Sequence, residues 1–173
     1  MEKRKKYIDQ VVSIKYSDRK TPIYGLVIDY NENFTLLKYN PVDFVLDGYM
    51  ILSHKNIQGF RRDKEEKFKE KIINLKIGNA TNDKERNIPL TNLHAILLYL
   101  NENFGVFQFT TKSENACYLG GLASFNDNQL YVDLLDTTGK WIKPAKFRPN
   151  DIRTIEFDTD YINSLKLVAY KRK

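Results

Sequence analysis

His54, His94, Cys117 and the carboxylates are the first candidates for nucleophilic, metal-ligating or acid–base chemistry in this chain, and their spacing assembles no constellation. A structural metal site needs at least three protein ligands, and the two histidines lie 40 residues apart with no Cys/His spacing to complete a set. His94 falls on the flank of an amphipathic pattern and reads as a surface or boundary residue. His54 lies in a polar loop, either solvated or as a phosphate contact. Cys117 sits in the strand-like run Ala116-Cys117-Tyr118-Leu119, without the cationic neighbours that activate a thiol, and is expected to be a buried structural residue. Gly120-Gly121 lies inside a strand pattern rather than before a helix, so it is no phosphate loop, and no G-x-S-x-G elbow occurs. Asp158 and Asp160 stand at a helix start, where capping accounts for them. The expectation is a non-enzymatic protein with no cofactor and no metal.

Binding chemistry is better represented. Lys and Arg number 28 against 22 Asp and Glu, for a net charge of +6. Residues 1–86 hold 18 basic and 13 acidic side chains and residues 87–173 hold 10 and 9, so the excess sits in the first half. Part of it is the run Lys3-Arg4-Lys5-Lys6, read as a solvated tail. Another part is the cluster Arg61, Arg62, Lys64, Lys67, Lys69 and Lys71. There Glu65, Glu66 and Glu70 are interleaved, and Glu66/Glu70 with Lys69/Lys71 read as ordinary pairing on a solvated helix surface. The 11 Tyr and 10 Phe fall mostly on alternating strand positions and are core residues first. Trp141, between Gly139-Lys140 and Ile142-Lys143-Pro144, is either a barrel plug or part of a recognition surface.

The elements that must position these residues are short strands. With 42% hydrophobic and 29% charged residues the chain is neither collagen-like nor disordered. No stretch approaches the roughly 20 apolar residues of a membrane span, and no apolar segment follows the basic N-terminal run, so a cytoplasmic protein without a membrane is expected. Strand patterns cover 11–15, 23–30, 34–39, 49–52 and 57–60, with Asn31-Glu32-Asn33 as a hairpin loop. Asp63 is then a good N-cap with Glu66 in the capping-box position, and Phe68, Ile72 and Leu75 mark the expected apolar face of a helix. A polar segment follows. A second helix pattern runs from Leu90 to Phe104, stopped by Gly105, and strand patterns return at 106–111, 116–125, 129–135, 144–147 and 152–157.

An offset of 95 residues superposes the two cadences without a gap, placing Val11 on Val106, Gly25 on Gly120, Tyr30-Asn31-Glu32-Asn33 on Phe125-Asn126-Asp127-Asn128, and Asp63 on Asp158. Only 7 of 64 aligned pairs are identical, so the inference of a duplication rests on where the matches fall. Five short curved strands leave exposed edges and an unburied face, and closure into a small barrel is the expected remedy, with Gly25 and Gly120 permitting a sharp bend in the second strand.

The succession of five bent strands, with Gly-x-[Leu/Val]-x-x-aromatic-Asn-acid-Asn across the second strand and its loop, resembles the Sm-like small barrels, which in general bind RNA or act as assembly modules. More narrowly, Asp43-Phe44-Val45-Leu46-Asp47-Gly48-Tyr49, Phe107-Gln108-Phe109, Gly139-Lys140-Trp141 and Asp160-Tyr161-Ile162-Asn163 are similar to bacterial proteins of unknown function with tandem small-barrel domains. That resemblance spans nearly the whole chain and carries no assigned chemistry. The loops depart from the Sm pattern: neither half has its Arg-Gly pair, and both hairpin loops carry an acid that repels phosphate.

The sequence therefore predicts a mainly β (α+β) chain of two tandem Sm-like or SH3-like five-stranded small barrels with accessory helices: 1–75, a linker over 76–88, and 89–173. The expected function is a binding or assembly module whose partner is a protein or a second copy of the chain, with RNA or single-stranded nucleic acid as the alternative. The candidate contacts are Asn31, Asn33, His54, Lys55, Arg61 and Arg62 in the first half and Asn126, Asn128, Trp141 and Arg148 in the second.

Overall fold

A computed structural model describes residues 7–78, 87–113, 115–126 and 128–169. The basic run at 3–6 and most of the predicted linker lie outside the described residues. Among the described residues, ten antiparallel strands and three α-helices divide between two units, 1–88 and 89–173. None of these helices is long and apolar enough to cross a membrane.

Unit 1 comprises β1 (Val11–Tyr16), β2 (Ile23–Tyr30), β3 (Phe34–Tyr39), β4 (Tyr49–Ser53), β5 (Ile57–Arg61) and α1 (Lys64–Ile77), with strands in the order β5-β1-β2-β3-β4. The alternation of side chains across a strand splits its apolar residues between two faces. One face carries Val12, Ile14, Tyr16, Val27, Leu37 and Leu52, and the other carries Val11 and Leu26 against Ile73 of α1. β1 is thus buried on both sides, and only Lys15 is exposed.

α1 begins as its residues predict, with Asp63 and Glu66 forming a capping box. Its inward face is different from the expected one. Glu66 and Ile73 are buried, whereas Phe68 and Leu75 are exposed. The reason is polar. Glu66 Oε1 accepts from Ser13 Oγ (2.7 Å), and Glu70 accepts from the Val11 amide (2.7 Å) and from Arg62 Nη2 (2.8 Å). Those bonds turn the carboxylates toward β1, where a buried charge without partners would be costly. The expected surface pairing of Glu66 and Glu70 with Lys69 and Lys71 is therefore absent. Lys69 lies 3.8 Å from Glu65 and 4.1 Å from the centre of the Tyr24 ring.

Unit 2 comprises α2 (Leu93–Asn103), β6 (Phe107–Thr110), β7 (Cys117–Asn126), β8 (Gln129–Leu135), β9 (Trp141–Phe147), a 3-10 turn (Pro149–Asp151), β10 (Thr154–Phe157) and α3 (Asp160–Val168), with strands in the order β10-β6-β7-β8-β9. α2 starts at Leu93 rather than Leu90, because the Asn92 side chain caps the Ala95 amide (2.9 Å), and it buries Ile96, Leu97 and Leu100. Thr159 caps α3 in place of Asp158, which adopts φ 56° and accepts from Asn163 Nδ2.

The two ladders repeat each other at the 95-residue offset in register as well as in order. Gly25 pairs with Val12 and Tyr39, and Gly120 pairs with Phe107 and Leu134. The bulge between Val27 and Asp29 recurs between Leu122 and Ser124. A Cβ on Gly25 would lie 2.7 Å from the Lys38 carbonyl oxygen, and one on Gly120 would lie 2.1 Å from that of Asp133, its counterpart. Both glycines are needed for the close approach of the next strand.

Closure is not found. Within unit 1 the end strands β5 and β4 do not pair with each other, nor do β10 and β9 within unit 2. Two closed tandem barrels are thus not present, and in each unit a helix covers one face of the sheet. α1 supplies Ile73 to Val11 and Leu26, and α3 supplies Ile162 to Val106, Leu119 and Leu135.

Candidate anion-binding groove

The antiparallel register of β1 and β5 sets Ser13 opposite Arg61 and Lys15 opposite Gly59. Residues two apart on a strand share a face, so these four lie together on the α1 side of the sheet. Ser13 is buried and bonded to Glu66, while Lys15 and Arg61 are exposed. Gly59 has no side chain, and a Cβ built on it would meet nothing within 4 Å. The result is a surface groove of about 450 Å³ over Gly59, walled by Lys15, Arg61, Gln58 and Phe60 and extended by Lys20 and Pro22 of the β1–β2 turn.

Three cations and no acidic side chain line this groove. Arg61 Nε donates to Asp63 just outside it. That hydrogen bond is the main reason the Asp63 carboxyl is held down at about 2, and it also raises the Arg61 guanidinium. The pair orients the guanidinium without occupying its two terminal nitrogens. A planar cation held in this way, beside two lysines and a flat glycine floor, suits an extended anion.

The other residues singled out from the sequence are distributed differently. Asn31, Asn33 and His54 form one cluster where the β2–β3 and β4–β5 turns meet, since the His54 amide donates to the Asn33 carbonyl (2.8 Å). Asn31 Oδ1 accepts from the amides of Asn33 and Phe34 (2.8 and 2.7 Å). His54 Nδ1 meets the Glu32 carbonyl and Nε2 meets Thr35 Oγ1, both at 2.7 Å. These groups hold turns together. Lys55 is exposed in the same turn. Arg62 is half-buried, donating to Gln10 Oε1 (2.6 Å) and Glu70, and so lies away from the groove that Arg61 lines.

In unit 2, Asn126 Oδ1 accepts from the Asn128 amide (3.3 Å), repeating the Asn31 turn. Trp141 is half-buried against Val106, Leu119, Leu135 and Ile162. Arg148 is exposed before the 3-10 turn. Cys117 is exposed rather than buried, because it opens β7 at the end of the ladder with Thr110. His94 is exposed and stacks on Phe125 at 4.8 Å. Among the described residues no group of three or more His, Cys, Asp or Glu side chains could hold a metal ion.

Of the residues lining the groove, sequence reasoning named Arg61 alone and missed the rest, Lys15, Lys20 and Gly59 among them. Two signals were present: Lys15 is the only charged position in Val11–Tyr16, and Gly59 interrupts a strand where no turn is needed. Comparison of the chain with protein-family models, with curated proteins and with solved structures finds no match.

Proposed function

We propose that this chain is a non-enzymatic binding module, built from two copies of a small-barrel-type unit in the Sm-like or SH3-like manner, and that unit 1 takes RNA or single-stranded DNA in the groove between β1 and β5. The observation that carries the reading is the groove itself: Lys15, Lys20 and Arg61 around the bare backbone of Gly59, with no carboxylate among the lining residues. The charge distribution supports it, since the first half of the chain holds nearly all of the net +6. The binding mode differs from that of Sm proteins. Asn31 and His54 are engaged in holding their own turns, so the strand face takes the place of the loops.

Binding of labelled oligonucleotides to the full chain, followed by fluorescence anisotropy across a salt series, tests the proposal. Phosphate contacts release counterions, so affinity must fall steeply with salt. Absent or salt-independent binding at low ionic strength refutes it. A second reading, assembly through a strand edge, is favoured by β9, which ends the strand order with a ladder partner on one side only. Solution mass over a wide concentration range decides it, a strict monomer being the refuting result.

A further inference from the structure

The rotation of α1 that turns Glu66 and Glu70 inward leaves its outward face with an unusual composition. With roughly 3.6 residues per turn, Lys64, Lys67, Phe68, Lys71 and Leu75 fall on one stripe, and all five are exposed. No acidic side chain among the described residues pairs with Lys64, Lys67 or Lys71. Phe68 is 56% exposed and Leu75 74%. The β3–β4 loop runs alongside: the Phe44 ring meets Phe68 edge-on at 5.9 Å, and Val42 and Val45 are 55% and 44% exposed.

The loop is held in place. Asn40, itself buried, donates from Nδ2 to the carbonyls of Val42, Asp43 and Val45 (3.3, 3.1 and 2.6 Å), and Lys76 Nζ donates to the Phe44 carbonyl (3.1 Å). Helix and loop thus present a pre-shaped surface of apolar side chains set among uncompensated lysines. A partner that matches it must bury aliphatic and aromatic surface and supply negative charge at the same spacing. A phosphate backbone supplies only the charge.

We infer that the outward face of α1, with the Val42–Val45 loop, is a docking surface for an acidic amphipathic helix of a partner protein. Apolar residues of that helix would lie on Phe68, Leu75, Val42 and Val45, and its carboxylates would meet Lys64, Lys67 and Lys71. The stripe from Lys64 to Leu75 is about 16 Å long at 1.5 Å per residue, which matches three turns of a partner helix. This surface shares no residue with the groove, so it stands or falls independently of nucleic-acid binding.

The test uses the full chain and a synthetic helical peptide of about four turns, with leucine along one face and glutamate flanking it, beside the same peptide with lysine in place of glutamate. The expected result is binding of the acidic peptide only, with amide shifts confined to α1 and the loop at 42–45. Reversing charge in the Lys67→Glu/Lys71→Glu variant should weaken the acidic peptide on the order of tenfold and confer binding of the lysine peptide. Leu75→Asp should weaken both pairings, and Gly59→Glu should change neither. All of these positions are exposed, and circular dichroism confirms that the variants fold. Equal binding of both peptides, or acidic-peptide binding that survives the charge reversal, overturns the inference. So does self-association abolished by Leu75→Asp, which assigns the face to a second copy. Co-sedimentation with phosphatidylserine vesicles that the charge reversal abolishes, without peptide binding, assigns it to a lipid surface and equally overturns it.

Discussion

Replacing Gly59 by glutamate separates the groove's function from the stability of the fold. The position accepts a side chain: nothing lies within 4 Å of an added Cβ, and the backbone is not in the left-handed region. Glycine weakens a strand interior, so Gly59→Ala should raise stability by about 0.4–1 kcal/mol, as expected where the native backbone suits alanine. Glutamate places a carboxylate on the floor among Lys15, Lys20 and Arg61. Two like charges about 4 Å apart repel by about 1 kcal/mol in water and more beside a protein surface. Taking about 1–2 kcal/mol, binding of an RNA or single-stranded DNA probe should weaken about five- to thirtyfold.

The salt dependence provides a second measure. If the three cations each meet one phosphate, a single strand should lose roughly twentyfold in affinity between about 50 and 200 mM salt, and Gly59→Glu should flatten that slope. Anisotropy titrations of the wild-type chain, Gly59→Ala and Gly59→Glu, each at several salt concentrations, supply the data, and urea melts report the fold. Unchanged affinity and slope in a folded Gly59→Glu variant would refute the assignment of the groove.

Three further outcomes follow from the same structure. Gly25→Ala and Gly120→Ala should each destabilise, by about 1–3 kcal/mol as overpacking does, with Gly120→Ala the worse because its Cβ would lie closer to a fixed carbonyl; calorimetry of the two variants beside Gly59→Ala checks the ranking. Glu66→Ala should cost about 1–3 kcal/mol by leaving the buried Ser13 hydroxyl and the Asp63 amide without their acceptor, while Glu65→Ala, on the solvent side, should cost little in the same urea melts. Asp63 stays ionised in the folded chain down to about pH 2, whereas in the unfolded chain it takes its proton near 3.8, so its contribution is complete above about pH 4 and is lost as the pH falls toward 2. In Arg61→Ala its carboxyl should titrate closer to the ordinary value by NMR, and an unchanged titration would sever the pair.

The ladder was largely legible because strand periodicity is local. Ile23–Tyr30, Phe34–Tyr39 and Gln129–Leu135 coincide with runs of β-branched and aromatic residues bounded by turn formers, and the 95-residue offset carries through to pairing register and bulges. The face of α1 was not legible. Periodicity favours Phe68, Ile72 and Leu75 as the inward residues, yet hydrogen bonds from Ser13 and Val11, more than 50 residues away in sequence, decide that Glu66 and Glu70 turn inward.

The candidate site divides along the same line. Net charge and its bias toward the first half are read directly from the sequence. The location of the cations is not. Lys15 and Arg61 share a face only because β5 pairs back onto β1 in one register, and a shift of one residue would send them to opposite faces. Local propensity and patterning thus determined the strands, the Asp63 capping box and the 95-residue repeat of the cadence. Tertiary structure decided which carboxylates turn inward and which cations share a face, because hydrogen bonding between distant segments outweighs the weak preferences of a single helix face.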